Sequence, residues 1–150
     1  MFDISRYFRK GANNSIEFKN GANLSYSGPS HTLVNSGTEL DRWYVGEFMG
    51  AEYTVTCDVD SQRKEVIKAI ATASPDRANI IIYGRSNLGS DLLQLEVVVT
   101  DAFFSLIAYP KEQDDSTVIQ GAKMIFSANY YKTLNEATAC LLYTSDAADE

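Results

Sequence analysis

The sequence predicts an all-β protein: an antiparallel β-sandwich of about seven or eight strands, preceded by a short N-terminal arm and a hairpin. Three observations carry that expectation. Between Ala51 and Tyr131 apolar and polar residues alternate, so that Tyr53, Val55, Cys57 and Val59 point one way while Thr54, Thr56 and Asp58 point the other, as in a half-buried antiparallel strand. Turn-forming residues recur at short intervals between such runs. With 45% hydrophobic and 11% aromatic residues, the 150-residue chain has enough apolar material for one core.

The elements follow in order. Phe2 to Lys10 places Ile4 and Phe8 four apart among Arg6, Arg9 and Lys10, which fits a basic amphipathic helical turn or an extended arm. Gly11, Ala12, Asn13 and Asn14 then separate residues 1–14 from the body at 15–134. Ser15 to Lys19 and Asn23 to Tyr26 flank Asn20-Gly21, a pair suited to a type I′ turn, and read as a hairpin. Loop chemistry at Ser27 to Ser30 and Asn35 to Gly37 surrounds a short strand at His31 to Val34, and Glu39 to Arg42 lead into Trp43, Tyr44 and Val45. From there a meander is expected: Ala51 to Val59, Val66 to Ala73, Ala78 to Tyr83, Leu92 to Thr100, Phe103 to Tyr109 and Ala122 to Tyr131. Val66, Ile70 and Ala73 also stand at helical spacing, but the neighbouring segments assign Arg63 to Ala73 to a strand.

Composition excludes several classes. No apolar run is long enough to span a bilayer, and Asp3, Arg6 and Arg9 interrupt the start where a signal peptide needs an apolar stretch, so no membrane insertion and no secretion signal are expected. Two cysteines, Cys57 and Cys140, make no disulfide framework, and no Cys/His grouping has metal-ligand spacing. Glu136, Asp146, Asp149 and Glu150 supply four of the charges behind the net −7, and no Lys or Arg follows Lys132; set aside, they leave a body near −3, with no dense basic face for nucleic acid. The end, CLLYTSDAADE, resembles read-through of a sequencing adapter, and residues 135–150 are expected to be a non-native tail.

Candidate chemical motifs fail on inspection. Asp58 to Gln62 begins like a calcium loop, but Arg63 stands where Gly is required and Ala69 where the bidentate Glu belongs. Ser61 to Lys64 fits S-x-x-K without its companion elements, and Gly84 to Gly89 lacks a phosphate-cradling pattern. His31, the only histidine, has no identifiable triad partners, and the Asn13 and Asn23 acceptor sequences are idle without secretion. No catalytic residue, metal site or cofactor is expected.

Recognition is the remaining chemistry. Trp43 and Tyr44, preceded by Asp41 and Arg42, have the composition of an interface hot spot, although a sandwich commonly buries one indole and Trp43 also suits the core. Tyr130 and Tyr131 face opposite sides of one strand, so at least one should be exposed. These four are the candidate interface or ligand-binding residues, and Phe2, Arg6, Phe8 and Arg9 the candidate docking arm. A carbohydrate-binding module would need two or three aromatics on one sheet face, for which Trp43, Tyr44, Tyr83, Tyr109, Tyr130 and Tyr131 are available.

The segments LVNSGTELDRWYVGEFMGAEYTV, RKEVIKAIATA, IIIYGRSNLG and KMIFSANYY, between Leu33 and Leu134, resemble a small β-rich structural protein of marine T4-like phages, including cyanophages. The resemblance implies a non-enzymatic virion component, associated with tail, baseplate or fibre, made in the host cytoplasm. Its partners would be copies of itself or other tail proteins, with a host-surface glycan as the alternative ligand. No site residue is carried by it.

Deleting Glu136 to Glu150 should move the thermal unfolding midpoint by no more than about two degrees, because a tail outside the core changes stability by almost nothing. A fall of about ten degrees in a calorimetric scan would show that the tail packs natively.

Overall fold

The computed structural model describes residues 8–10, 16–18, 23–113, 119 and 121–135. Among them no helix occurs, and eleven strands form two antiparallel sheets. The larger sheet runs β1 (Phe8–Lys10), β2 (Ile16–Phe18), β3 (Asn23–Ser27), β11 (Lys123–Lys132), β6 (Phe48–Asp58), β7 (Lys64–Ser74) and β8 (Arg77–Asn87), with β4 (His31–Thr32) also paired to β11. The smaller sheet runs β5 (Thr38–Tyr44), β10 (Phe103–Pro110) and β9 (Leu93–Thr100). The expected hairpin is present, with Ile16 opposite Ser25 and Glu17 opposite Leu24; Asn20 and Gly21 lie outside the described residues, as does the tail from Glu136.

The all-β sandwich expected from the sequence is the fold observed, but its strand order is not a simple meander. Chain neighbours pair in β6-β7-β8 and in β9-β10, whereas β11 returns to lie between β3 and β6, and β5 pairs with β10 in the second sheet. Alternation fixes which residues face the core; it carries no information on which strand lies alongside. Arg63 to Ala73 is strand, and its helical look has a simple origin. Ile67, Ala69 and Ala71 face the core while Val66 and Ile70, on the opposite face, are apolar but exposed. Apolar residues on both faces blur a period of two.

Turn chemistry sets the registers. Thr100 pairs with Phe103 across Asp101 and Ala102, both at positive φ (54° and 66°), the geometry of a type I′ turn whose twist suits a two-residue hairpin. β3 and β4 form one broken edge along β11, interrupted at Gly28, whose N–H donates to the Phe126 carbonyl at 2.9 Å. A Cβ there would stand 2.4 Å from the Phe126 ring, so only glycine lets the backbone approach.

The core lies between the sheets. Tyr53, Val55 and Cys57 of β6, Ile67 and Ala71 of β7, and Met124, Phe126 and Tyr130 of β11 meet Leu40 and Trp43 of β5 and Phe104 and Leu106 of β10. Trp43 stacks on Phe104 with centroids 4.3 Å apart, and Phe48, Tyr53, Phe126 and Tyr130 continue the aromatic layer at 5.1 to 6.5 Å. Burial puts the Cys57 thiol up to about 12, so it is a packing residue rather than a nucleophile.

Among the described residues one charged side chain, Glu65, is fully inside. The Glu65 carboxylate accepts from the backbone N–H groups of Leu92 and Leu93 and from Asn87 Nδ2, and the Arg85 guanidinium lies 3.0 Å from it. Arg85 donates onward to the Leu93 carbonyl. The cluster fastens the entry of β9 in the smaller sheet to β7 and β8 in the larger. Glu65→Ala should therefore destabilise the protein by roughly 3 kcal/mol or more, since it strands two backbone donors and removes the nearest anion from the mostly buried Arg85 guanidinium. In urea unfolding, Glu65→Ala/Arg85→Ala should cost clearly less than the two single changes added together; additive losses would show that the pair is not coupled.

Candidate functional site

The four recognition candidates divide between core and surface. Trp43 and Tyr130 are only 5% and 4% exposed, whereas Tyr44 and Tyr131 stand half-exposed on opposite sides of the sandwich. Strand alternation explains the split of each adjacent pair. Phe8 and Arg9 stand in β1, which pairs with β2 in register Phe8 opposite Phe18 and Arg9 opposite Glu17; Phe2 and Arg6 lie outside the described residues.

Inside, Trp43 and Tyr130 share a network that the sequence did not single out. Trp43 Nε1 donates to Tyr53 Oη at 2.9 Å, and the Tyr53 and Tyr130 hydroxyls each donate to Asp41 Oδ2 at 2.7 Å. Asp41 Oδ1 accepts the Arg42 N–H at 3.0 Å. Asp41 belongs to the smaller sheet and both tyrosines to the larger, so one carboxylate ties the layers together. Burial raises the Asp41 pKa, and the hydrogen bonds from Tyr130, Tyr53 and the Arg42 backbone pull it back only in part. Burial and the facing carboxylate push both tyrosines well above their ordinary value, so they remain donors.

Two aromatic groups lie on the outer faces. On the smaller sheet Tyr44 faces Phe103 across β5 and β10, centroids 5.6 Å apart, and the Arg42 guanidinium sits 4.8 Å over the Phe103 ring. On the larger sheet the residues converge on Glu52 of β6. Tyr83 Oη donates to Glu52 Oε2 at 2.5 Å, which raises the Tyr83 pKa. The same carboxylate interacts with the Tyr131 hydroxyl, whose pKa rises first through desolvation and then through that charge. In register, Asn129, Glu52, Ile70 and Ile81 form one row across β11, β6, β7 and β8 on this face.

A β-bulge lies at the convergence. Lys68 pairs with Gly84 and Ala69 with Ile82, which leaves Tyr83 as the extra residue of β8. From there it reaches Glu52 two strands away, a span of about 10 Å, by laying its ring across β7. Glu52 was not a sequence candidate; its place on the polar side of the alternating β6 was legible, but its partner was not. Ile80, Ile81, Ile82 and Tyr83, a run without alternation, was the available sign of a bulge.

The rejected motifs have structural roles. Asp60 accepts the Gln62 and Arg63 N–H groups through Oδ1 and the Arg63 guanidinium through Oδ2, so the would-be calcium loop is a turn closed by its own arginine. Lys64 pairs with Asp58 at 2.7 Å rather than with Ser61. Among the described residues no group of three or more His, Cys, Asp or Glu is placed to hold a metal ion, and no helix is long and apolar enough to cross a membrane.

No protein-family model matches the chain, and no curated protein matches it. Among solved structures it is similar to the tailspike protein of Acinetobacter baumannii phage AM24, at 7% sequence identity and a TM-score of 0.43. The match covers 73% of this chain and 26% of the tailspike.

The Asp41 network makes stability depend on pH in a definite direction. With its native pKa above the ordinary 3.8, Asp41 binds a proton more tightly folded than unfolded, so its contribution grows as pH falls through the native value and levels off below 3.8. Urea unfolding at a series of pH values should show the wild type gaining on Asp41→Asn as pH is lowered from neutrality; a wild type that loses ground would mean that the carboxylate is held ionised.

Proposed function

We propose that this chain is a non-enzymatic structural component of a phage virion, associated with the tail, which works by assembling with copies of itself or with neighbouring tail proteins. The observation that carries the reading is the free edge of the larger sheet. β8 pairs with β7 and, among the described residues, has no ladder partner on its other side. At eleven residues it is about twice the usual strand length. Ile81 and Ile82 along it are 60% and 37% exposed, and Tyr83 is half-exposed. A long apolar edge is a template for another strand, and monomeric proteins blunt such edges with charge or cover. Here the nearest charges, Arg77 and Arg85, stand toward the ends.

The viral setting rests on the resemblance of the segments between Leu33 and Leu134 to structural proteins of marine T4-like phages. In this reading residues 15–134 are the assembling body, residues 1–14 an arm that reaches a neighbouring subunit, and residues 135–150 take no part. The protein would reside in the virion. A second reading, a module that binds a host-surface glycan, is favoured by the two phenols that meet on Glu52 of one sheet face.

The edge is tested directly. In sedimentation equilibrium the purified chain should exceed its 16.6 kDa monomer mass, alone or mixed with a tail protein. Ile82→Lys, a charge at a partly exposed edge position, should return it to monomer while changing stability by no more than about 1 kcal/mol. A wild type that remains monomeric in both settings, or an Ile82→Lys protein that still associates, would refute assembly through β8.

A further inference from the structure

The geometry points to a saccharide-binding subsite on the outer face of the larger sheet, formed by Tyr83, Glu52 and Tyr131, which takes a neutral, hydroxyl-rich glycan. The inference rests on the glycan-binding reading and is independent of assembly through the β8 edge. Its first support is the bulge. The β7–β8 register shifts at Tyr83, and from this position Tyr83 reaches across β7 onto Glu52. Bulges occur where a side chain is placed for a purpose, and here the side chain is a half-exposed tyrosine that spans from β8 to Glu52 of β6. A flat apolar face with a hydroxyl at its end suits the carbon-hydrogen face of a pyranose.

The second support is the carboxylate between the two phenols. Tyr83 and Tyr131 approach Glu52 from β8 and from β11, so the acid is held in place before a ligand arrives. Glu52 Oε2 accepts a hydrogen bond from the Tyr83 hydroxyl, and a carboxylate has further acceptor capacity for a sugar hydroxyl. Preorganisation of this kind lowers the ordering cost of binding. The acid also decides the ligand class: an anionic glycan would meet the Glu52 charge, whereas a neutral one donates hydroxyls to it. Gly84 itself adds no side chain beside Tyr83, the exposed Lys68 stands opposite it, and Ile70 and Ile81 extend the apolar floor.

The Tyr44 and Phe103 pair on the smaller sheet differs in kind. Its Tyr44 ring folds back over Gly46, where a Cβ would stand 2.3 Å from it, and Arg42 covers Phe103, so neither ring lies open beside an acceptor. Tyr44 therefore serves as the control position.

Native affinity electrophoresis of the full chain, in gels containing dextran, amylopectin, galactomannan, mixed-linkage β-glucan or xyloglucan, tests the proposal. At least one neutral polymer should retard the protein. Tyr83→Ala should weaken that retardation about tenfold and Glu52→Gln about fivefold, while Tyr44→Ala leaves it within about twofold, as expected when a few central residues dominate binding. Circular dichroism of each variant should match the wild type, and Ile82→Lys should be retarded like the wild type, which separates this site from the assembly edge. Retardation by none of the five polymers, retardation by alginate alone, retention that survives Tyr83→Ala in a folded variant, or loss of self-association in Tyr83→Ala with no effect on retardation would each overturn the subsite.

Discussion

Two sheets of unequal size are held in one register by the Asp41 carboxylate, which accepts the Tyr53 and Tyr130 hydroxyls from across the core. A purely apolar interface between sheets is tolerant of sliding, because dispersion and burial have little direction. A buried acid with two dedicated donors has one satisfactory position, and leaving any member unpaired costs more than the bond is worth when made. Trp43 extends the constraint, since its N–H is satisfied by the Tyr53 hydroxyl and its ring by Phe104. Glu65 does the same at the other end of the sandwich, where it captures the Leu92 and Leu93 N–H groups. The interior therefore has an apolar layer bracketed by two polar fasteners, each joining one sheet to the other.

These fasteners explain what the sequence did and did not disclose. Period-two alternation identified Tyr53, Val55 and Cys57 as inward residues, and turn chemistry placed the strand ends within a few residues. Glu65 stands at an inward position of β7 beside Ile67 and Ala69, yet as a charged residue near a strand start it reads as solvent-facing. Only the arrival of Leu92 and Leu93, distant in sequence, makes its burial tolerable. Asp41 is hidden for the same reason. Tyr83 and Glu52 lie 31 residues apart and meet only through the pairing of β6, β7 and β8, so the surface group was invisible to any local pattern. Long-range pairing is where a single sequence is least informative, and both the core network and the surface group are made of it.

The inequality of the sheets shapes the exterior. The larger sheet has eight strands among the described residues and the smaller three, and the larger ends in β1 on one side and β8 on the other. Ile82 pairs with the buried Ala69 and so faces the core side of its sheet, yet it is partly exposed. The two edges are unlike: one is a short basic strand, Phe8–Lys10, and the other a long apolar one. Contacts that join unlike edges are heterologous, and such contacts generate rings when the rotation closes and open filaments when it does not.

Trp43 is the only tryptophan in the chain, and it lies at the junction of the two layers rather than on either outer face. Its indole emission is consequently an internal gauge of how closely the sheets are apposed. Stacked on Phe104 and bonded to Tyr53, it is shielded from water while the layers remain together, and its spectrum shifts to the red when they part. The protein thus carries, without any label, an optical reporter for the integrity of its interior.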